Sequence, residues 1–407
     1  HPDRQHPQRA PDPQRQGRVN LKLQATILAL FFAGIACAAP DEAALLKPKS
    51  LADVWSRMDE FHAARGIQKS SQPRALKRAA PAPDLGLDEF LDRQRNTGLL
   101  VLKGDTILAE RYQYGKTAQH RFASASVAKT VLGMLTGIAL HEKKITSLED
   151  QVVQYLPALK GHPYADVSIR QLLTMSSGIA FSENWQARDD GMKLIDNTVW
   201  QKTQGGMDTI REFRLRDAPA GTRFRYASSD SQVLGLVLRH AVDMPLATYL
   251  SEKIWQPMGA EANATWLLDK AGYETGYCCI NATLRDFARF GLLLANHGNL
   301  DGKQIIPAEW MQAATTAQAP YLEVGTATPN NGYGYQTWLL GDRRPRDGGD
   351  PVSAFAALGI HGQAIFIDPT TKLVVVHTAV WADPNDRAAR GEQIKLWNSL
   401  LSKLSHG

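Results

Sequence analysis

The run Val127-Ala-Lys-Thr-Val-Leu-Gly-Met-Leu-Thr-Gly-Ile-Ala-Leu140 constrains the fold more than any other stretch. Val127, Val131, Leu132, Met134, Leu135 and Ile138 are spaced as a helix that is apolar on most of its circumference, the pattern of a helix buried inside a domain. Ser126 falls at or near its first turn. Lys129, three residues on, lies on the same face about 4.5 Å further along the axis, so its amine can reach the hydroxyl. A serine hydroxyl is a poor nucleophile until a neighbour takes its proton, and a lysine in apolar surroundings can have its pKa lowered enough to do so near neutrality. The helix start also supplies free N–H groups and a partial positive charge, both suited to a developing oxyanion. A Ser-x-x-Lys spacing turns up roughly once by chance in a chain this long. The weight comes from where the lysine stands: in a first turn, against the helix dipole, among Val127, Ala128, Val131 and Leu132. Ser124 is a rival hydroxyl, but it is five residues from Lys129 and points elsewhere on the helix.

Around this helix the pattern is that of hairpins at both ends and helices between. Thr97-Gly-Leu-Leu-Val-Leu102 and Ile107-Leu-Ala-Glu-Arg-Tyr112 read as two strands joined through Gly104-Asp105. Gln363-Ala-Ile-Phe-Ile-Asp368 and Leu373 to Val380 read as a second hairpin with a Pro-containing turn, followed by a helix marked by Ile394, Trp397, Leu400, Leu401 and Leu404. The expected fold class is therefore α/β in the α+β sense, an antiparallel sheet built from both ends of the chain and flanked by helices, with a mostly helical insertion. The expected divisions are 85–145 with 335–407 for the sheet domain and 146–334 for the helical insertion. Residues 39–84 read as an N-terminal helix (Leu51 to Ala64) and a linker, and 1–38 as upstream sequence and a signal peptide. Phe181 to Met207 and Thr315 to Asn331 read as long irregular connections, which in compact domains are usually binding elements or poorly ordered.

Lys22 is followed by the apolar stretch Leu23 to Ile35 and the small-x-small pattern Ala36-Cys37-Ala38, the layout of a cleavable export signal. The expected location is periplasmic or secreted. A lipid anchor at Cys37 is the lesser alternative, because Gly34 occupies the place of a larger aliphatic residue. The chain opens on His1, and residues 1–18 are Pro, Gln and Arg rich, as expected of sequence upstream of a start at Val19. The formal charge of +5 owes much to this region: without residues 1–38 the balance is 41 basic against 39 acidic residues. That gives no electrostatic case for a nucleic-acid partner, and nothing beyond the signal peptide suggests a membrane. Cys278 and Cys279 are expected to be two small buried residues, since adjacent cysteines seldom pair. No phosphate-binding glycine loop or metal-ligand spacing is found, so no cofactor and no metal are expected.

A second constellation stands at Tyr226-Ala-Ser228, in a turn before the apolar run Val233 to Leu238. A tyrosine beside a lysine ammonium can be pushed towards phenolate and relay a proton to a leaving group. Ser126-Val-Ala-Lys129, Ser168-Ile-Arg-Gln-Leu-Leu-Thr-Met-Ser-Ser-Gly178, Tyr226-Ala-Ser228 and Arg285-Asp-Phe-Ala-Arg-Phe-Gly291, in this order, resemble serine hydrolases of the class C β-lactamase and penicillin-binding-protein type. Within that family the chain is most similar to the 6-aminohexanoate-dimer hydrolase and esterase branch. The resemblance runs from about Leu87 to the C-terminus. It implies a β-lactamase/transpeptidase-like fold, Ser126 as acylated nucleophile, Lys129 as its proton acceptor and Tyr226 as relay.

Two departures bear on substrate. The family's Tyr-x-Asn becomes Tyr226-Ala-Ser228, which shortens a polar group lining the cleft. The Lys-Thr-Gly of the β-lactamases is replaced by Gly359-Ile-His361-Gly362-Gln363. Ser228, His361, Gly362 and Gln363 are thus the expected substrate-binding residues, with a backbone N–H just after His361 completing the oxyanion hole. An imidazole is mostly neutral at physiological pH. The expected substrate is therefore a small ester or linear amide without the carboxylate that a lysine would hold, with any β-lactam cleavage improving below about pH 6.5. The alternatives are a β-lactamase or D-Ala-D-Ala carboxypeptidase, and an inactive relative that binds cell-wall peptides.

Overall fold

The computed structural model describes residues 47–185, 189–341 and 354–404. The signal-peptide and lipid-anchor readings fall on residues outside these ranges. In chain order the strands are β1 (Ala64–Ile67), β2 (Lys77–Arg78), β3 (Asn96–Lys103), β4 (Thr106–Tyr112), β5 (Arg121–Ala123), β6 (Ala264–Leu267), β7 (Ile280–Thr283), β8 (Asn299–Leu300), β9 (Lys303–Gln304), β10 (Asn331–Tyr333), β11 (Trp338–Leu340), β12 (Phe355–Leu358), β13 (Ala364–Asp368) and β14 (Leu373–Ala379). Five helices matter to the site: α1 (Pro48–Trp55), α2 (Val127–His141), α3 (Ser228–Val242), α4 (Leu284–Ala295) and α5 (Arg387–Leu404).

The large sheet has the order β10-β11-β12-β13-β14-β3-β4-β2. Its strands are antiparallel except for β2, which runs parallel to β4. The two hairpins expected from the sequence, β3–β4 and β13–β14, meet at its centre, where Val375 faces Val101 and Phe366 faces Val375. Period-two alternation then sorts the side chains to two sides. Leu99, Val101, Phe366, Leu373 and Val375 pack with Trp397, Leu400 and Leu401 of α5. Leu100, Leu102, Ile365, Ile367, Val374 and Val376 belong to the main core, with α2, α3 and α4. At about 25 cal/mol per Å², two buried faces explain why these strands are almost wholly apolar.

Helix α2 lies in that core with every residue from Val127 to Ala139 buried, the lysine included. Gly137 permits this depth, since a Cβ there would stand 2.3 Å from the Trp310 ring. Thr130 Oγ1 and Ser231 Oγ both donate to Gln336, to its carbonyl and its Oε1 respectively, and so tie α2 to α3.

Some elements differ from their sequence reading. A second sheet, β1-β6-β7-β5, joins the N-terminal segment to the insertion and to the strand entering α2. Leu51 to Ala64 is not one helix: α1 ends at Trp55, one turn spans Met58–Phe61, and the chain then extends so that β1 can pair with β6. The connection from Phe181 to Met207 is partly helical, with turns at Asp190–Ile195 and Asp196–Trp200, the first capped by Asp189, which accepts from Met192 N. The large sheet reaches Asn331–Tyr333, ahead of the expected division at 335.

Candidate active site

Ser126 occupies the N-cap of α2, yet its side chain caps nothing. An N-cap serine ordinarily spends its oxygen on the N–H of the second or third helical residue. Here the hydroxyl instead accepts from Lys129 Nζ at 2.7 Å. The preceding residue, Ala125, is held at φ +44°, a conformation that costs a non-glycine residue of order 1 kcal/mol or more and that aims the next side chain. Lys129 also donates to Tyr277 O at 3.0 Å, and its ammonium sits 4.9 Å from the centre of the Tyr226 ring. Burial draws the Lys129 pKa down to about 8, against an upward pull from Glu183. The structure thus brings Ser126, Lys129 and Tyr226 together.

The tyrosine's protonation differs from its sequence reading. Lys129 lies over the ring, 4.9 Å from its centre. Burial and the Glu183 carboxylate push the Tyr226 pKa well up, while hydrogen bonding with Ser126 and the charge of Arg390 pull it back. Tyr226 is therefore a phenol, able to hand on a proton but not standing as phenolate. Ser124, the rival hydroxyl, donates to Ala125 O and accepts from Ile280 N, so it serves the backbone.

Where the family has an asparagine, Ser228 is backed by a residue that the motif search missed. Glu183 accepts from Ser228 N and Ser228 Oγ, both at 2.8 Å. Burial raises the Glu183 pKa, and the nearby Lys129 opposes that rise. The only sequence signal for Glu183 was its place in a long loop.

The sequence reading put an oxyanion donor at the N–H just after His361; in the turn after β12 the N–H left open is that of Ile360, two residues earlier. Gly359 packs so closely on the nucleophile that a Cβ there would lie 3.0 Å from Ser126 N. Among the described residues, neither Ser126 N nor Ile360 N donates to a protein acceptor, whereas His361 N donates to Pro384 O. His361 does line the apolar cleft, but its Nδ1 is paired with Trp381 O at 2.7 Å. Burial lowers its pKa to about 4. It therefore stays neutral through the range in which the sequence reading had it gaining charge. Gly362 and Gln363 line neither of the two clefts that open from Ser126. Gly362 O accepts from Gln393 Nε2, its Cα packs on Trp381, and Gln363 Nε2 donates to Ala379 O at 2.8 Å, so both brace the turn.

Two clefts open from Ser126. One, of about 90 Å³, is lined chiefly by apolar groups, among them Leu51, Trp55, Trp185, Trp200, Ile360 and the pair Cys278–Cys279. These adjacent cysteines are joined in a disulfide, contrary to the expectation of two separate thiols. The backbone turn that seats Tyr277 O under Lys129, with Cys279 at φ +78°, brings the two sulfurs together. The other cleft, of about 330 Å³, is more polar and contains Glu183, Tyr226, Asn385 and Arg390. Arg390 is thus a cation in the cleft that sequence reading missed, because it lies on α5 with no motif around it. Its guanidinium donates to Gly359 O at 2.7 Å and lies over Trp381. Burial lowers its pKa to about 10, so it remains charged at neutral pH. No group of three or more His, Cys, Asp or Glu among the described residues is placed to hold a metal.

Fold and site together define a hydrolase of β-lactamase/transpeptidase-like architecture. The Beta-lactamase family profile matches residues 87–396, and the chain belongs to that family. It is similar to the 6-aminohexanoate-dimer hydrolase of Paenarthrobacter ureafaciens, at 28% identity over 77% of this chain and 80% of that protein. Among solved structures, one from Bacillus anthracis, provisionally described as a 6-aminohexanoate-dimer hydrolase, superposes with a TM-score of 0.77 at 25% identity, covering 88% of this chain and 96% of that one. EstCE1, described as a hydrolase with promiscuous acyltransferase activity, shares the fold with a TM-score of 0.62 at 18% identity, over 77% of this chain and 96% of its own.

Proposed function

We propose that this protein is an exported serine hydrolase that cleaves esters or linear amides through an acyl-enzyme on Ser126. The observation that carries the reading is the 2.7 Å contact between an uncapped Ser126 hydroxyl and a buried, pKa-lowered Lys129. In acylation, Ser126 Oγ bonds to the carbonyl carbon and its proton passes to neutral Lys129. Ser126 N and Ile360 N are the donors available to the oxyanion. The bond to the leaving oxygen or nitrogen then breaks, and that atom takes the proton by way of the Tyr226 phenol. Water repeats the sequence on the acyl-enzyme, releasing the acid and restoring Ser126.

Arg390 supports a second reading, cleavage of D-Ala-D-Ala peptides or β-lactams, because a guanidinium lining the cleft can hold a carboxylate on the leaving half. Export rests on the apolar run ending at Ala36-Cys37-Ala38, and N-terminal sequencing of the exported product should find a start near Ala39. The activity is tested by fluorophosphonate labelling followed by a panel of nitrophenyl esters, linear amides, D-Ala-D-Ala peptides and cephalosporins. Labelling at Ser126 with esters or linear amides cleaved best is the expected result. No labelling would point to a relative that only binds, and a cephalosporin as the best substrate would install the second reading.

A further inference from the structure

The two clefts share Ser126, Trp185 and Ile360 but otherwise have different walls. Part of the apolar wall comes from an unexpected place. Leu51, Trp55 and Met58 precede residue 87, where the family match begins, and they stand in the same cleft as Trp185, Trp200 and Ile360. This segment is fastened down over the site. Leu51 and Ala52 pack on Val380. Buried Lys116 donates to Asp53 Oδ1 at 2.6 Å and to Ser56 Oγ at 3.0 Å. The Trp55 ring meets that of His361 edge-on at 4.9 Å, and β1 anchors the segment's far end on β6.

The proton path assigns a half of the substrate to each cleft. The leaving group departs with a proton, and Tyr226, which supplies it, lines the polar cleft and not the apolar one. The leaving half therefore lies with Tyr226 and Arg390. The acyl half, bonded to Ser126 in the intermediate, has the apolar cleft. Its lining includes no Asp, Glu, Lys or Arg, and Ser228 Oγ, His361 Nδ1 and Tyr277 Oη are engaged with Glu183, Trp381 O and Thr198 Oγ1. A charge on the acyl chain would be buried without a counter-charge, which is costly.

We infer that α1 and the turn after it complete an acyl-binding pocket, and that the preferred substrates carry an uncharged, apolar acyl group of several carbons. The inference rests on the acyl-enzyme reading given above and names the substrate class for it.

The test uses the full chain and nitrophenyl esters of the acetyl, butanoyl, hexanoyl and 6-aminohexanoyl groups. kcat/KM should rise about fourfold per added methylene until the cleft is filled. The 6-aminohexanoyl ester should fall at least about tenfold below the hexanoyl ester, because its ammonium finds no carboxylate in the cleft. Lengthening the alcohol of an alkyl acetate should change kcat/KM less than lengthening the acyl chain does. In Trp55→Ala the hexanoyl-to-acetyl ratio should drop about tenfold as apolar contact is lost. That ratio is internal to one preparation, so a partly unfolded variant still reports it. A flat acyl series, an equally good 6-aminohexanoyl ester, or an unchanged ratio in Trp55→Ala would each overturn the pocket while leaving a labelled, active Ser126. Absence of both labelling and ester cleavage would instead remove the acyl-enzyme reading, and the pocket with it.

Discussion

Two of the buried charge clusters among the described residues differ in how their charge is balanced. Around Arg289, 2% exposed, the guanidinium donates to Asp286 Oδ1 at 2.9 Å, to Glu261 Oε2 at 2.8 Å and twice to Arg74 O. Asp286 in turn accepts from the backbone of Glu261 and Ala262. Burial pushes Asp286 up, but those N–H groups and Arg289 pull it back. Around Lys129, also 2% exposed, the ammonium donates to two neutral oxygens, Ser126 Oγ and Tyr277 O. The nearby carboxylate, Glu183, spends both oxygens on Ser228. A buried ion with matched partners stays charged and holds elements together. One whose charge is only partly offset can give up its proton at working pH, as a general base must.

The contrast is open to attack at its largest effect first. Ser126→Ala should abolish labelling and lower turnover by about four orders of magnitude or more, with the thermal transition nearly unmoved, since a serine that caps nothing is replaced by a residue of similar size. Ser124→Ala should instead reduce stability by about 1 kcal/mol, as Ile280 N loses its acceptor, with a mild effect on turnover. Labelling retained in Ser126→Ala would move the nucleophile elsewhere.

On the balanced side, Arg289→Ala should destabilise the fold by about 3–5 kcal/mol, because it leaves carboxylates without their cation. Denaturant unfolding measures that loss, and active-site titration should show unchanged turnover per folded molecule. A marked fall in turnover of the folded fraction would mean that the two clusters are linked.

On the unbalanced side, Lys129→Ala and Tyr226→Phe should each lower kcat by at least about two orders of magnitude. The double variant should lose less than the product of the two effects, as groups on one proton path act as a unit. Full additivity would place them on separate steps.

The smallest effects are in pH. Since Lys129 works as the neutral amine, kcat/KM for an ester should rise with pH through a midpoint near 8. Glu183 holds that pKa up, so Glu183→Gln should move the midpoint down; an upward shift would show that its charge does not act on Lys129. His361 titrates near pH 4, so the ester-to-cephalosporin ratio should stay level between about pH 7.5 and 5.5. A selective gain for the cephalosporin below about pH 6.5 would mean that His361 has its ordinary pKa after all.

Much of this contrast was hidden from sequence reading. The Arg285-to-Gly291 stretch was visible as a family motif, yet its scaffold role emerges only when Arg285 reaches Glu110 on β4 and Arg289 reaches Glu261 and the Arg74 carbonyl. Glu183, Arg390 and Trp55 had no motif, and each acquires its place through contacts across the fold. His361 was read as a cleft residue with an ordinary imidazole; it lines the apolar cleft, and burial lowers its pKa. Its neutral state follows from burial, which depends on Trp55 and Trp381 arriving from elsewhere.

The sequence by itself determined whatever repeats on a local period. The i, i+3 spacing set Ser126 and Lys129 on one face of a helix, and period-two alternation gave the central hairpins two apolar faces. The tertiary structure decided which distant groups share a cleft. It brought Tyr226 to Ser126, laid α1 along the apolar cleft, put Arg390 in the polar one and left Lys129 with only a partial counter-charge. Periodicity is a property of neighbours along the chain, whereas desolvation and Coulomb interactions depend on neighbours in space, so a residue's identity could be read locally but its protonation state could not.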